Sequence, residues 1–364
     1  MAEYDYGNAR LRAMKARLFS PAQLDALLES PNLTALITAL IETPYGPAIE
    51  AALVRLSGVD CLNAAFRQDA LETLGKLARF YRDDSGEDDA AELIALALRR
   101  YDVHNVKTIL RGLAGQLPAD AMLALTLPVG DLRAPDLAAL AGAANVQTAV
   151  NLLATWLLPL AQPLLKLRAQ TPDAGLFAME LALERWYWRL ALTAAPQERV
   201  WLAAQQREVD YLNLLTALRL AGRAEIDAAL RALPGVTAQN GRGDPIAALF
   251  VGPGQLDPAL LLEAARQETV AAAAALLAQT PYAAALAEGL AAFEVNGRLT
   301  SFERALLRDQ LAYARQLFVR DSLGVGVVLG YLVLKQNELT NLRLIAQGLH
   351  LEEKREIIRR RLIL

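Results

Sequence analysis

The sequence DVHNV at residues 102–106 recurs in altered form as DYLNL at 210–214 and as ELTNL at 338–342. Each copy has an acidic residue, an asparagine three positions later, and apolar residues one, four and five positions after the asparagine. On an α-helix the acid and the asparagine share a face, and the asparagine borders an apolar stripe. The asparagines are 108 and 128 residues apart, far beyond the roughly 20–50 residues of helical-repeat arrays. This spacing predicts three similar small helical domains.

A second pattern supports the repeat. Residues 33–45 are LTALITALIETPY and residues 270–282 are VAAAAALLAQTPY, while residues 146–158, VQTAVNLLATWLL, keep Thr155 and lose the Pro-Tyr ending. The three threonines precede the motif asparagines by 62, 58 and 61 residues, so the middle copy is the most diverged. The predicted domains are residues 1–118, 119–232 and 233–364.

Composition predicts an all-α fold. Ala and Leu dominate, with abundant Arg, Glu and Gln, and all of these favour helices. The alternation of β-branched and aromatic residues that marks strands is nearly absent. A net charge of −3 gives no overall bias towards nucleic acid or an anionic membrane. The single cysteine, Cys61, excludes an intrachain disulfide and fits a reducing compartment.

No segment predicts a membrane span. The apolar stretch at 149–165 contains Asn151, Gln162 and two prolines, and the stretch at 323–334 is shorter than the roughly 20 residues that a helix needs. The first residues carry charges where a signal peptide has an apolar core. We therefore expect any link to a membrane to go through another protein.

The repeated motif has two interpretations. In the structural one, each acid and asparagine fixes the packing of one helix pair within its domain, because buried polar groups are normally paired. In the functional one, three acidic sites face a common axis or a partner. The candidate structural or partner-contact residues are Asp102, Asn105, Arg111, Asp210, Asn213, Arg219, Glu338, Asn341 and Arg343.

The sequence predicts no catalytic, cofactor-binding or metal-binding residues. The two histidines, His104 and His350, lack the Glu-x-x-His spacing of carboxylate metal sites, and one cysteine serves zinc poorly. The glycines at 324–330 suggest helix packing, because a phosphate loop would end in Gly-Lys-Ser/Thr. The aromatic residues at 186–188 suggest core and rim. The basic residues at 354–361 suggest a solvated helical face, with partner contact as the second choice.

Four stretches resemble the C subunit of the vacuolar/archaeal-type (V/A-type) rotary ATPases, whose eukaryotic counterpart is the d subunit. They are YGNARLRAMKARLFS (6–20), DVHNVKTILRG (102–112), EVDYLNLLTALR (208–219) and YLVLKQNELTNLRLIAQGL (331–349). The last contains the family's Lys-x-Asn-Glu-x-x-Asn-Leu-Arg pattern at residues 335–343. The similarity covers nearly the whole chain. It is weakest at the Pro/Gly-rich stretch 233–258 and in the Ala-rich third domain.

The resemblance implies a funnel of three similar helical domains around a pseudo-threefold axis. The mouth would receive the central shaft, made of the D and F subunits, and the base would rest on the membrane rotor ring. Such a protein is a non-catalytic part of the central stalk, without a cofactor. It couples rotation to proton or sodium transport from the cytoplasmic face of the membrane.

Two other classes of function stay open on the residues alone. An all-helical repeat scaffold unrelated to rotary motors would also show repeats and no catalytic residues. An all-helical enzyme could use the acidic motifs with Mg²⁺, although such sites cluster several aspartates within a turn or two. Each motif here supplies one acid.

Overall fold

The computed structural model describes residues 4–81, 89–223, 225–236 and 243–364. Within these ranges the regular structure consists of nineteen α-helices and a short 3₁₀ helix at Ala247–Leu249, without a strand. The predicted all-α fold class is therefore confirmed. No helix in the described ranges is long and apolar enough to span a membrane.

The helices have the following limits. They are α1 (Asp5–Lys15), α2 (Pro21–Leu28), α3 (Leu33–Ile41), α4 (Gly46–Leu53), α5 (Gly58–Phe80), α6 (Asp89–Ala114), α7 (Ala119–Leu123), α8 (Ala134–Ala141), α9 (Val146–Thr155), α10 (Ala161–Gln170), α11 (Leu176–Thr193), α12 (Arg199–Leu220), α13 (Ile226–Arg231), α14 (Pro258–Ala265), α15 (Val270–Leu277), α16 (Ala283–Asn296), α17 (Thr300–Arg320), α18 (Gly326–His350) and α19 (Arg355–Arg361).

After α1, the helices recur in three sets of six, α2–α7, α8–α13 and α14–α19. The first helix of each set has a proline in its first turn, a position where the missing N–H costs nothing. The second helix begins at a side-chain cap, from Asn32, Asn145 or Thr269, that accepts the third N–H of the helix. The fifth helix carries the acid–asparagine motif.

The threonines of the second sequence pattern, Thr43, Thr155 and Thr280, lie at or just after the end of the second helix of each set. Thr43 and Thr280 each accept the N–H of the tyrosine two residues later, Tyr45 and Tyr282, and both tyrosines are buried. Leu157 stands at this position in the middle set, with φ 55° and 88% of its surface exposed. The divergence of the middle copy is therefore a lost buried tyrosine.

The chain divides into two compact units, one of Met1–Ala95 with Gln310–Leu364 and one of Leu96–Asp309. In the first unit, α5 packs against α1, α3, α4 and α18. In the second unit, α12 packs against α11, α14 and α15. The division into domains at residues 118 and 232, and the funnel, stay predictions.

The glycine stretch at 324–330 has two structural roles. A Cβ on Gly330 would lie 2.7 Å from the Phe318 ring and the Ala314 carbonyl oxygen, so this glycine permits close helix packing. Gly326 N donates to Asp321 Oδ2 over 2.7 Å, which places a carboxylate at the start of α18. The chain's own anion thus lies where a phosphate loop would hold its ligand.

The other sequence patterns also have defined places. The aromatic residues at 186–188 are all buried, as core residues are. In the Pro/Gly-rich stretch, Ile246 is fully buried, and the Arg185 guanidinium donates to the carbonyl oxygens of Ala248 and Phe250. The sequence Arg-Gly-Asp at 242–244 is typical of a turn, and it falls partly outside the described residues. Its Asp244 accepts the N–H of Ile246 over 2.9 Å.

Candidate functional site

The six motif side chains are buried inside the chain. Asp102 and Asp210 are 0% exposed and Glu338 is 4% exposed, and the three asparagines are equally inaccessible. Buried polar groups that lack partners destabilise a fold, so each of these groups must find one. We call each acid and asparagine, with the backbone that they hold, a motif clamp. The first, second and third clamps lie on α6, α12 and α18.

In the first and third clamps, the asparagine pairs with both backbone groups of one later residue. Asn105 Nδ2 donates to the Leu127 carbonyl oxygen and Asn105 Oδ1 accepts the Leu127 N–H, both over 2.7 Å. Asn341 makes the same two bonds with Ile363, over 2.7 and 3.0 Å. The amide therefore acts as a short length of backbone and fixes an extended segment against the helix.

In the second clamp, Asn213 accepts the Val251 N–H over 3.1 Å and donates to the Gly252 carbonyl oxygen over 3.0 Å. The first and third asparagines reach 22 residues forward, whereas Asn213 reaches 38 to the Val251 N–H. The Pro/Gly-rich stretch at 233–258 follows α13 and contains this clamped segment, so the second clamp reaches further along the chain than the other two.

Each acid holds the start of a proline-led helix. Asp102 accepts the Leu132 N–H over 3.1 Å, and Asp210 accepts the Leu256 N–H over 3.2 Å. Both also accept the N–H one residue earlier. Glu338 accepts the Phe19 N–H over 2.5 Å. These leucines and Phe19 each directly precede a helix N-cap, where a negative charge favours the helix dipole.

Glycines make room for the two aspartates. A Cβ on Gly130 would lie 2.2 Å from Asp102 Oδ2, and a Cβ on Gly254 would lie 1.9 Å from Asp210 Oδ1. Neither glycine has a positive φ, so the requirement is for space and not for backbone conformation. The third clamp has Arg17 at this position, two residues before Phe19, together with the longer Glu338. The extra methylene lets a carboxylate bind the backbone from further away.

Two of the acids also bind the buried tyrosine that lies two residues after the repeated threonine. Tyr282 Oη donates to Asp210 Oδ2 over 2.7 Å, and Tyr45 Oη donates to Glu338 Oε1 over 2.5 Å. Leu157 occupies the tyrosine position of the middle set, and the hydrogen bonds to Asp102 come from backbone N–H groups. The first clamp therefore has the fewest hydrogen bonds of the three.

A cation lies three residues before the acid in all three clamps, and that of the first, Arg99, pairs with Asp131 near the surface.

The cations of the third and second clamps are less exposed. Lys335 Nζ lies 3.0 Å from Glu338 Oε1 and 2.8 Å from Asp69 Oδ2. The Asp69 contact is an ion pair without hydrogen-bond geometry. Arg207 is the corresponding cation of the second clamp, and it pairs with Asp309. These pairs are at least partly buried, so the loss of one partner would leave the other charge uncompensated.

Burial raises the pKa of both clamp aspartates. It raises the pKa of Asp102 to about 6, against the opposing effect of the N–H groups of Asp131 and Leu132. Burial also raises the pKa of Asp210, where the Tyr282 hydroxyl and backbone N–H groups oppose it. These acids lie deep in the chain and bind its own backbone. The geometry therefore favours the structural interpretation of the motif.

The three arginines of the predicted site lie at the surface. Arg111 pairs with Glu180 and Arg219 with Glu303, each six residues after its asparagine. Arg343 is exposed and forms no ion pair with a described carboxylate. Exposed pairs contribute at most about 1 kcal/mol. Contact of these arginines with a partner stays a prediction.

The basic residues at 354–361 are less free than a solvated face would be. Arg359 pairs with Asp25 of α2 over 2.9 Å and with Glu29, which directly follows α2, over 2.7 Å. Arg355 donates to the Ser30 carbonyl oxygen, and Arg361 pairs with a neighbouring glutamate. Arg355 and Arg359 therefore attach α19 to α2 and the residues just after it, and Arg361 binds the segment that precedes α19.

Sequence reasoning missed the backbone segments that the motif holds. The signal was present as Gly-x-Leu shortly before a proline, at Gly130–Leu132 and again at Gly254–Leu256. The third clamp lacks the glycine, and its partner Phe19 lies 319 residues before Glu338. A search for patterns that follow each motif could not find it.

Comparison with known proteins gives a consistent result. The family model described as ATP synthase (C/AC39) subunit matches residues 7–361. The chain is 28% identical to the C subunit of the A-type ATP synthase of Methanocaldococcus jannaschii, covering 100% of this chain and 87% of that protein. It is 26% identical to the C subunit of the V-type ATP synthase of Deinococcus radiodurans, covering 98% and 90%. It is 28% identical to the A-type C subunit of Haloquadratum walsbyi, covering 94% and 93%.

Proposed function

Because this chain belongs to the ATP synthase (C/AC39) subunit family, and is thus a rotary ATPase subunit, we propose that it is the non-catalytic central-stalk subunit of a V/A-type enzyme. It acts as a socket between the rotating shaft, made of the D and F subunits, and the membrane rotor ring. Its place is at the cytoplasmic face of the membrane, as a peripheral part of the complex. Its motion couples the shaft to proton or sodium transport.

The observation that carries this proposal is the internal use of the motif acids. Asp102, Asp210 and Glu338 each bind the backbone just before a proline-led helix. The motif helix of one set is thereby fixed to the first helix of another. A part that transmits torque needs this stiffness, and an active site needs reactive groups that a substrate can reach.

The same observation argues against an enzyme that uses the motif acids with Mg²⁺. Each carboxylate is buried and accepts hydrogen bonds from backbone N–H groups, so its oxygens are already occupied. The acids also lie on three different helices, α6, α12 and α18.

Reconstitution of the complex with and without the chain tests the proposal. Without it, the soluble head should still hydrolyse ATP, while hydrolysis no longer drives ion uptake into vesicles. Adding the purified chain back should restore ion uptake. Ion pumping that survives complete absence of the chain would refute the proposal, and so would substrate turnover by the chain alone. A scaffold unrelated to rotary motors would bind neither the D–F shaft nor the ring in a pull-down.

A further inference from the structure

Helix α1 stands outside the three sets of six helices. It packs against α5 and α18 in the first compact unit. In the part of the chain that the structure describes, no α-helix corresponding to α1 lies between α7 and α8 or between α13 and α14, and a clamped extended segment leads directly into each proline-led helix. The three sets of six helices are therefore complete without α1. The contacts of α1 do not follow from the repeat.

One buried side chain of α1 ties two other elements together. Asn8 is 2% exposed. Its Nδ2 donates to the Gly324 carbonyl oxygen over 3.0 Å, and its Oδ1 accepts the Tyr81 hydroxyl over 2.7 Å. Tyr81 directly follows α5, and Gly324 lies in the turn between α17 and α18. Asn8 thus bridges the end of α5 and that turn.

Two cations of α1 bind the last turn of α17, and one of them also binds the turn that follows it. Arg12 Nη2 donates to the carbonyl oxygens of Phe318 and Ser322, over 3.0 and 2.9 Å. Lys15 Nζ lies 4.0 Å from the centre of the Phe318 ring. Carbonyl groups at the end of a helix lack intrahelical donors, and positive charge is favourable there.

The attachment of α1 rests on fit and polar bonds more than on apolar burial. The buried residues of α1 are Gly7, Asn8 and Leu11. A Cβ on Gly7 would lie 2.3 Å from the Tyr81 ring. A helix with one large buried apolar side chain opens at a lower free energy than the core beneath it.

We propose that α1 is a detachable strap. Docked, it holds the end of α5 against the α17–α18 turn. Undocked, it releases this end of the α5–α18 pair, while the ion pair of Lys335 with Asp69 still joins the two helices further along. Undocking of the strap thus loosens the contact between the end of α5 and the α17–α18 turn without unfolding the chain.

Hydrogen exchange on the full chain, measured by mass spectrometry, tests the strap with Gly7→Ala, because the new methyl group would press on Tyr81. Gly75→Ala is the matched control, since a Cβ on that α5 glycine would have its nearest neighbour at 3.9 Å. In Gly7→Ala, exchange should rise roughly tenfold or more in α1, at residues 77–81 and at residues 321–328. Exchange in α12 should not change, and Gly75→Ala should not raise exchange in α1 or at residues 321–328.

Three outcomes would overturn the proposal. They are unchanged exchange, a rise in α1 while residues 321–328 keep their protection, and a uniform rise through the first unit. The last would make α1 an integral part of the core. Asn8→Ala removes the bridge without adding volume, and it should give the same regional pattern even if Gly7→Ala fails to fold.

Discussion

Replacement of Gly254 by alanine gives a sharp test of the clamp geometry. The new Cβ would lie 1.9 Å from Asp210 Oδ1, far inside van der Waals contact, so the carboxylate must withdraw. Withdrawal weakens the bonds from the Leu256 N–H and the Tyr282 hydroxyl and leaves buried groups unpaired. Overpacking typically costs about 1–3 kcal/mol, and an unpaired buried group costs about the same. We expect a total loss of about 2–4 kcal/mol in the free energy of unfolding.

Urea denaturation of the full chain, followed by far-UV circular dichroism, measures this loss. Gly252→Ala is the matched control. It lies two residues away in the same segment, and a Cβ there would have no neighbour closer than 3.6 Å. It should change stability by less than about 1 kcal/mol. Equal stability of the two variants would refute the close approach of Asp210 to the backbone.

The third clamp, which has a glutamate and no glycine, suggests a rescue. Asp210→Glu combined with Gly254→Ala imitates it, because the longer side chain can bind the backbone from further away. We expect the double variant to be more stable than the sum of the single effects by at least about 0.5 kcal/mol. A strictly additive result would show that acid length and glycine are independent.

Three further predictions concern other clamp residues. Asn213→Leu should lower the free energy of unfolding by roughly 1–3 kcal/mol through unpaired backbone groups, and unchanged unfolding with lost partner binding would favour the functional interpretation. Burial raises the pKa of Asp102 from 3.8 to about 6, so the folded chain binds this proton more tightly than the unfolded chain. The resulting stability is fully present below pH 3.8 and is lost as pH rises through 6. Relative to Asp102→Asn, the unmodified chain should therefore gain about 2 kcal/mol between pH 7 and pH 4, and a pH-independent difference in urea denaturation would contradict this. Lys335→Met should lower stability by about 3–5 kcal/mol, because Asp69 and Glu338 would face each other without a cation, and adding Asp69→Asn should recover part of the loss in the same assay.

The helical class and the location of the motifs followed from the sequence because both depend on local pattern. The acid, the asparagine and their apolar stripe lie within a few residues of each other, and α6, α12 and α18 each contain one copy. The partners of the motif could not be predicted in this way. They are backbone groups, which every residue carries, and so Leu132 and Phe19 have no side-chain signature of their role.

The role of α1 was also beyond a local pattern. Asn8 is an ordinary polar residue on a charged helix, and its two partners, Tyr81 and Gly324, are distant in sequence. The glycines at 324–330 suggest helix packing from their spacing alone, and Gly330 does pack in that way. The neighbouring Gly326 instead binds a carboxylate, and this depends on Asp321, whose role only the three-dimensional turn reveals.

The three clamps differ in when they can form during synthesis. The first joins residues 22 to 30 positions apart and the second residues 38 to 46 apart, so both can close soon after their helices leave the ribosome. The bond between Phe19 and Glu338 spans 319 residues, and closing it costs about 2 kcal/mol more loop entropy than a closure of about 30 residues. Helix α2, which packs mainly against α18 and α19, therefore gains most of its contacts only after α18 has been made. Pulse proteolysis of stalled nascent chains should show α2 becoming resistant after α8 and α14, and early protection of α2 would contradict this order.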